Sequence, residues 1–179
     1  MLVKYGDCAI ELAQGDITQQ TVDAIVNAAN DRLAGGGGVD GAIHRSAGST
    51  LMEETKMRYP DGCPTGHAVA SGAGALSAKH VFHAVGPVWN GGQHQEPDLL
   101  ESAFRCCFEL AIEHNCDSIA LPALSTGAYG YPIDLAAEVS LGSASRFLVE
   151  NRKPRLVRFV LFDSGAYGAF ARVLESMAE

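Results

Sequence analysis

The sequence predicts an α/β/α layered domain built around a mixed central sheet of about six strands. Three observations lead there. Short runs with strand patterning alternate along the chain with longer stretches whose apolar residues recur at helical spacing. Polar or glycine-rich loops follow several of those short runs, as in open sheets that bind ligands beyond the carboxyl ends of their strands. Some early runs also lie too close together to leave a helix between every pair, which suggests a mixed rather than a purely parallel sheet.

Taken in order, residues 8–13 (Cys-Ala-Ile-Glu-Leu-Ala) alternate like a half-buried strand and pass into the turn Gly15-Asp16-Ile17-Thr18. Residues 22–26 are short, apolar and β-branched, as a buried strand requires. Asn27-Ala-Ala-Asn30, a polar loop and four glycines follow, and Asp40-Gly-Ala-Ile-His-Arg45 opens a helix. Thr50 and Glu53 stand at capping-box spacing for a second helix, which stops before Pro60. Residues 67–71 and 80–85 are the next strands. Leu99, Ala103, Cys106, Cys107 and Leu110 set a helical spacing over residues 98–115. Residues 119–121 form a short buried strand ending in Pro122, 133–150 a helix, 156–162 the last strand and 168–177 the last helix. No internal repeat, low-complexity tract or linker interrupts this order, so one domain over residues 1–179 is expected.

Composition narrows the functional classes. The 179 residues are 47% hydrophobic and 19% charged, far from the profile of a disordered chain. No apolar run approaches the roughly 20 residues of a membrane-spanning helix, and the first residues lack the basic start and long apolar stretch of a secretory signal. A cytoplasmic setting is the expectation. The five cysteines are odd in number and show no disulfide spacing, and neither Cys-x-x-Cys nor His-Glu-x-x-His occurs. Neither a metal nor a cofactor is expected. A formal net charge of −8 argues against a nucleic-acid surface, which relies on Lys and Arg. A phosphate would have to be held locally, by backbone N–H groups and helix N-termini.

The run Gly35-Gly-Gly-Gly-Val-Asp-Gly41 suits that task, because consecutive glycines adopt positive φ and bring donors close to a bulky anion. It also contains a literal Gly-x-Gly-x-x-Gly (Gly36, Gly38, Gly41). As a dinucleotide-binding signature this is weak, since residues 27–34 separate it from the preceding strand. No Gly-Lys-Ser/Thr follows, which excludes a P-loop. A second loop, Ser125-Thr-Gly-Ala-Tyr-Gly130, sits at another strand end and leads into Pro132, where a helix can begin. Two such loops facing one crevice would suit a diphosphate; each alone could be only a turn.

Individual residues keep bland alternatives. Asp16 could be a turn or cap residue before Thr18, and Asn27 and Asn30 could be Asx-turn residues ending a strand. Phe159 and Phe162 could exchange core and outward roles. Asp40 fits a helix N-cap, worth about 1 kcal/mol, yet a carboxylate beside a bound sugar can also orient or deprotonate water. Cys63 or Ser125 with a histidine makes a poor covalent site, because Cys63 lies in a turn, His67 opens a strand and no third group orients them. His44, His80, His83, His94 and His114 show no ligand spacing, and structural or surface roles are expected for them.

Five ordered blocks make the sequence recognisable: Val22-Asp-Ala-Ile-Val-Asn-Ala-Ala-Asn30, Gly35 to Arg45, Cys63-Pro-Thr-Gly-His-Ala68, His83-Ala-Val-Gly-Pro-Val-Trp89 and Pro122 to Pro132. Together they resemble the macrodomain family, most of all its MacroD-type branch with the bacterial O-acetyl-ADP-ribose deacetylases. The resemblance runs from about Ile10 onward and implies the three-layer macrodomain fold and an ADP-ribose site. It implies that Asp16, with the Ile17 backbone beside it, accepts from the adenine amino group. It places Asn30 on the distal ribose and leaves Asn27 to brace the loop through its amide. Gly37, Gly38, Val39 and Asp40 map to the loop along the diphosphate and distal ribose. Ser125, Thr126, Gly127, Ala128 and Tyr129 map to the second phosphate loop, and Phe162 to the aromatic near adenine.

In hydrolytic relatives the residue matching Asp40 is catalytic and paired with the asparagine, so Asp40 and Asn30 are the expected catalytic pair. The implied reaction is hydrolysis of an ester on the distal ribose. The acyl group is acetate, or an Asp or Glu side chain of a mono-ADP-ribosylated protein partner. Asp40 would position the water, and either Asp40 or a substrate phosphate would take the proton. Zinc-dependent macrodomains carry Cys and His ligands near this loop, where this chain has Gly-Ala-Ile-His-Arg, so a metal-free site is implied. The alternative function is a non-catalytic ADP-ribose reader.

Overall fold

The computed structural model describes residues 1–178. Seven strands form one sheet: β1 (Leu2–Tyr5), β2 (Cys8–Gln14), β3 (Ala24–Ala28), β4 (Ala68–Gly72), β5 (His80–Ala84), β6 (Ser118–Leu121) and β7 (Leu156–Leu161). Five helices accompany them: α1 (Gly38–Ala47), α2 (Ser49–Arg58), α3 (Glu96–Glu113), α4 (Ile133–Asn151) and α5 (Ser164–Met177). The strand order is β1-β2-β7-β6-β3-β5-β4. β2, β7, β6, β3 and β5 run parallel, and an antiparallel strand closes each edge. The mixed sheet inferred from chain length is therefore present, with one strand beyond the expected six. That strand, β1, is a four-residue edge strand without a fully buried side chain, so it carries no apolar signature.

Alternation along the strands feeds two faces. Ile25, Val81, Ala120 and Val160 pack with Ile17 and with Ile43, Ala47 and Leu51 of the α1–α2 layer. Their neighbours Val26, Phe82, Ile119 and Phe159 turn to the opposite face, where Phe104, Phe108, Leu141, Phe147, Phe170 and Leu174 of α3, α4 and α5 cover them. Burying each such side chain stabilises the fold by about 1.5–3 kcal/mol. Phe159 is fully buried while Phe162, just past β7, is 81% exposed, which settles their roles.

Some boundaries move, each for a local reason. β3 begins at Ala24 rather than residue 22, because the Val22 N–H leaves the ladder and donates to the Ser77 carbonyl. Asn27 consequently lies within the strand. α1 begins at Gly38 after an N-cap at Gly37, so Asp40 is in the first turn of the helix and is not its cap. The Thr50–Glu53 capping box does not form either. Gly48, at φ 89°, separates α1 from α2, and the chain re-enters helix at Ser49 with no side-chain cap. α5 starts four residues earlier than expected, at Ser164, with the Asp163 carboxylate accepting from the Ala166 N–H at 2.8 Å. No helix among the described residues is long and apolar enough to cross a membrane.

Candidate functional site

The carboxyl ends of the five parallel strands open onto one cavity of about 790 Å³. It is lined by the turn after β2, the glycine loop between β3 and α1, Gly86 after β5, the loop after β6, and residues 160–163 at the end of β7. Asp16, Ile17, Asn30, Gly37, Gly38, Val39, Asp40, Ser125, Thr126, Gly127, Ala128, Tyr129 and Phe162 all face it. Asn27 does not; it is fully buried beneath the floor.

At one end stand Asp16 and Phe162, both exposed. Asp16 Oδ1 accepts from the Thr18 N–H at 2.8 Å and the Thr18 hydroxyl at 2.7 Å, capping a single 3-10 turn over Ile17–Gln19. The cap reading therefore holds, and Oδ2 has no partner among the described residues. Phe162 presents its ring to the cavity mouth without packing into the core.

In the middle, two loops offer backbone donors. The N–H groups of Gly36 and Gly37, and those of Ser125, Gly127, Ala128 and Tyr129, have no acceptor among the described residues. The loop after β6 closes on itself, with Tyr131 N–H donating to Ser125 C=O at 2.9 Å and Gly130 N–H to Gly127 C=O at 3.0 Å, which turns the intervening amides outward. Two glycines permit close approaches. A Cβ on Gly41 would stand 2.6 Å from the Gly36 carbonyl, and one on Gly86 would collide with the Ser125 hydroxyl.

The far end belongs to Asp40, whose side chain is 8% exposed. Its Oδ1 accepts from Asn27 Nδ2 at 2.7 Å and lies 3.3 Å from His44 Nε2, one helical turn along α1. Oδ2 has no partner among the described residues and lies toward Gly36 on the cavity wall. The glycine loop is braced by Asn30, whose Nδ2 donates to the Gly35 carbonyl at 2.9 Å while its Oδ1 accepts from the Ala34 N–H at 3.1 Å. The two asparagines thus exchange the task expected of Asn27: Asn30 ties the loop and lines the cavity, and Asn27, held in β3, grips Asp40. Burial raises the Tyr129 phenol above its ordinary range, and the charges of Asp31 and Asp40 push it further the same way.

A model of the family described as Macro domain matches residues 26–140. The chain belongs to the macro domain family. Among its relatives, an O-acetyl-ADP-ribose deacetylase of Salmonella gallinarum is 53% identical over 172 residues, covering 95% of this chain and 96% of the relative. A macro domain-containing protein of Caldanaerobacter subterraneus is 51% identical, covering 94% and 97%. Among solved structures, the Oceanobacillus iheyensis macrodomain with ADP superposes at a TM-score of 0.94 and 38% identity, covering 99% of this chain and 95% of that one. The Trypanosoma brucei macrodomain in complex with ADP-ribose superposes at 0.86 and 38%, covering 92% and 68%. The macrodomain fold expected from the five sequence blocks is therefore established for this chain, and the dinucleotide-binding alternative falls away.

Several residues of this macrodomain's site carried no role in the sequence reading. His44, taken for structural or surface, touches Asp40; the spacing Asp40–His44 was the available signal, since residues four apart share a helix face. Arg45 and Gly86 also line the cavity. Gly86 ends a strand-like run, which was a signal, whereas Arg45 had none beyond its place after His44. His83 and Ser71, beneath Asn27, were beyond reach, because register across three strands brings them there. Cys63 is buried, which pushes its thiol up to about 11, aided by Cys106 beside it. That is the wrong direction for a nucleophile.

Proposed function

We propose that this macrodomain, acting as one unit over residues 1–179, binds ADP-ribose and hydrolyses esters on its distal ribose. The observation that carries the reading is Asp40. Its carboxylate is fixed through Oδ1 and presents Oδ2 to the Gly36 side of a cavity that unpaired backbone donors, apolar side chains and an exposed aromatic also line. Support comes from the relatives named O-acetyl-ADP-ribose deacetylase and from the macrodomains solved with ADP-ribose or ADP.

In this reading Asp16 and Phe162 receive the adenine, with the Ile17 backbone beside Asp16. The amides around Gly37, Gly38 and Val39 and those of Ser125 to Tyr129 hold the diphosphate. Asn30 contacts the distal ribose while keeping its grip on the loop. Asp40 Oδ2 orients a water against the acyl carbon. The water's oxygen bonds that carbon, the acyl–oxygen bond breaks, the ribose oxygen takes a proton, and a carboxylic acid and ADP-ribose leave. An ester is labile enough for positioning to supply much of the acceleration. The same geometry accepts an ester to an Asp or Glu side chain of a mono-ADP-ribosylated protein, in a cytoplasmic setting that suits the five free thiols.

Incubation with O-acetyl-ADP-ribose, and separately with a glutamate-linked mono-ADP-ribosyl peptide, tests this directly. Release of acetate from the first is the expected result. Tight ADP-ribose binding with no release from either ester would make the protein a reader and overturn the hydrolase reading.

A further inference from the structure

Behind Asp40 a buried polar chain runs through the sheet to its edge, and none of its members lines the cavity. Asn27 pairs in register with His83 across β3 and β5, and His83 reaches Ser71 on β4. Two residues before Asn27 and His83 stand Ile25 and Val81, which face the α1–α2 layer. Strand periodicity therefore turns Asn27 and His83 toward α1 as well. Asn27 Nδ2 lies 2.7 Å from Asp40 Oδ1 and 3.2 Å from His83 Nδ1, and His83 Nε2 lies 2.8 Å from Ser71 Oγ. All three side chains are 1% exposed or less.

The chemistry leaves one consistent set of protons. Asn27 must turn its amide nitrogen to Asp40, because its oxygen there would oppose a carboxylate. Its second N–H then meets His83 Nδ1, which must be an unprotonated acceptor. The ring proton sits on Nε2 and is donated to Ser71 Oγ, whose own hydroxyl donates to the Gly72 carbonyl at 2.9 Å. The arrangement leaves Asn27 Oδ1 buried with no partner among the described residues, which is unfavourable for a buried acceptor. Here both N–H groups are committed and the oxygen is sacrificed. Burial, with His44 beside it, holds the His83 ring down to about 3, so its lone pair stays available through the neutral range.

We propose that His83, oriented by Ser71, is a positioning residue that fixes the Asn27 amide and through it holds Asp40 in the rotamer that faces the cavity. Its kinetic consequence rests on the hydrolase reading above; its geometry does not.

Two substitutions of similar size isolate the acceptor. His83→Asn places Oδ1 where ring Nδ1 stands, whereas His83→Leu has no acceptor there. With O-acetyl-ADP-ribose, His83→Leu is expected to lower kcat about tenfold or more, with KM and the Kd for ADP-ribose within about twofold of wild type. His83→Asn should keep kcat within about threefold of wild type. Equal losses in both variants would make His83 a packing residue and overturn the proposal, as would an undiminished kcat in His83→Leu. Long-range 1H–15N correlations on the wild-type ring give a second readout that needs no activity or variant. Unprotonated Nδ1 and protonated Nε2 between pH 5 and 8 is the expected pattern, and a proton on Nδ1 would overturn the assignment. If the wild type released no acetate, the hydrolase reading alone would fail, and the ring's tautomer would still decide the positioning geometry.

Discussion

The two ends of the cavity are built on opposite principles. At the Asp16–Phe162 end the groups are exposed, and the one buried polar side chain bonded to them among the described residues is Thr18, a neighbour in the same turn as Asp16. At the Asp40 end the key carboxylate is 8% exposed and is fastened by Asn27 and His44, with His83 and Ser71 behind them. An exposed, loosely supported end can receive a flat base by stacking and a single hydrogen bond. A buried, cross-linked end can hold one reacting geometry while a bond is broken. Under the proposed function this difference divides affinity from chemistry along the cavity, and the two should come apart under mutation.

The largest effect should fall on Asp40. Asp40→Asn keeps the shape and loses the charge, and kcat for ester hydrolysis should drop about a hundredfold or more in a steady-state acetate assay, with ADP-ribose still bound. A comparable loss of affinity would break the division. Gly86→Ala, in the middle, should do the reverse. The new methyl takes the space of the Ser125 hydroxyl, so that side chain must turn or the loop after β6 must shift, at about 1–3 kcal/mol of overpacking. Calorimetry should show ADP-ribose binding weakened about tenfold, the affinity equivalent of that strain, and thermal melting should fall. Full affinity would mean that the loop after β6 is not the diphosphate cradle.

A smaller effect is expected in the pH dependence of stability. Burial holds His83 near 3 in the fold, against about 6.5 in an unfolded chain. The unfolded state therefore binds the extra proton between those values, and stability is lost as pH falls from about 6.5 toward 3. His83→Leu removes this contribution, so its denaturant midpoint should fall less steeply than wild type over that window. Parallel curves would mean the ring is not held neutral. The smallest effect belongs to Phe162→Ala. With the ring 81% exposed, melting should not change. The loss of stacking, about 0.5–1.5 kcal/mol, should weaken ADP-ribose severalfold without touching kcat.

The same contrast explains what the sequence disclosed. The exposed end and the loops were legible, because glycine runs, Gly15-Asp16-Ile17 and the aromatic after β7 are local features whose positions follow from strand ends. The layered fold was legible for the same reason. The support of Asp40 was not. Asn27 looked like a loop residue because it adjoins a polar stretch, and only its ladder pairing with His83 shows that it stands inside β3. Ser71, His83 and Asp40 are far apart in the chain, and no spacing along it announces that three strands and a helix meet there. Asp40 resembles a cap because glycines hide the helix start; Gly37 is the cap, and Gly38, Val39 and Asp40 open the first turn.

The central claim is tested most directly by measuring kcat for O-acetyl-ADP-ribose and Kd for ADP-ribose side by side in Asp40→Asn and Phe162→Ala. The division predicts a crossed pattern, with the Asp40 variant losing turnover but keeping affinity and the Phe162 variant losing affinity but keeping turnover. Loss of the same quantity in both variants would contradict it.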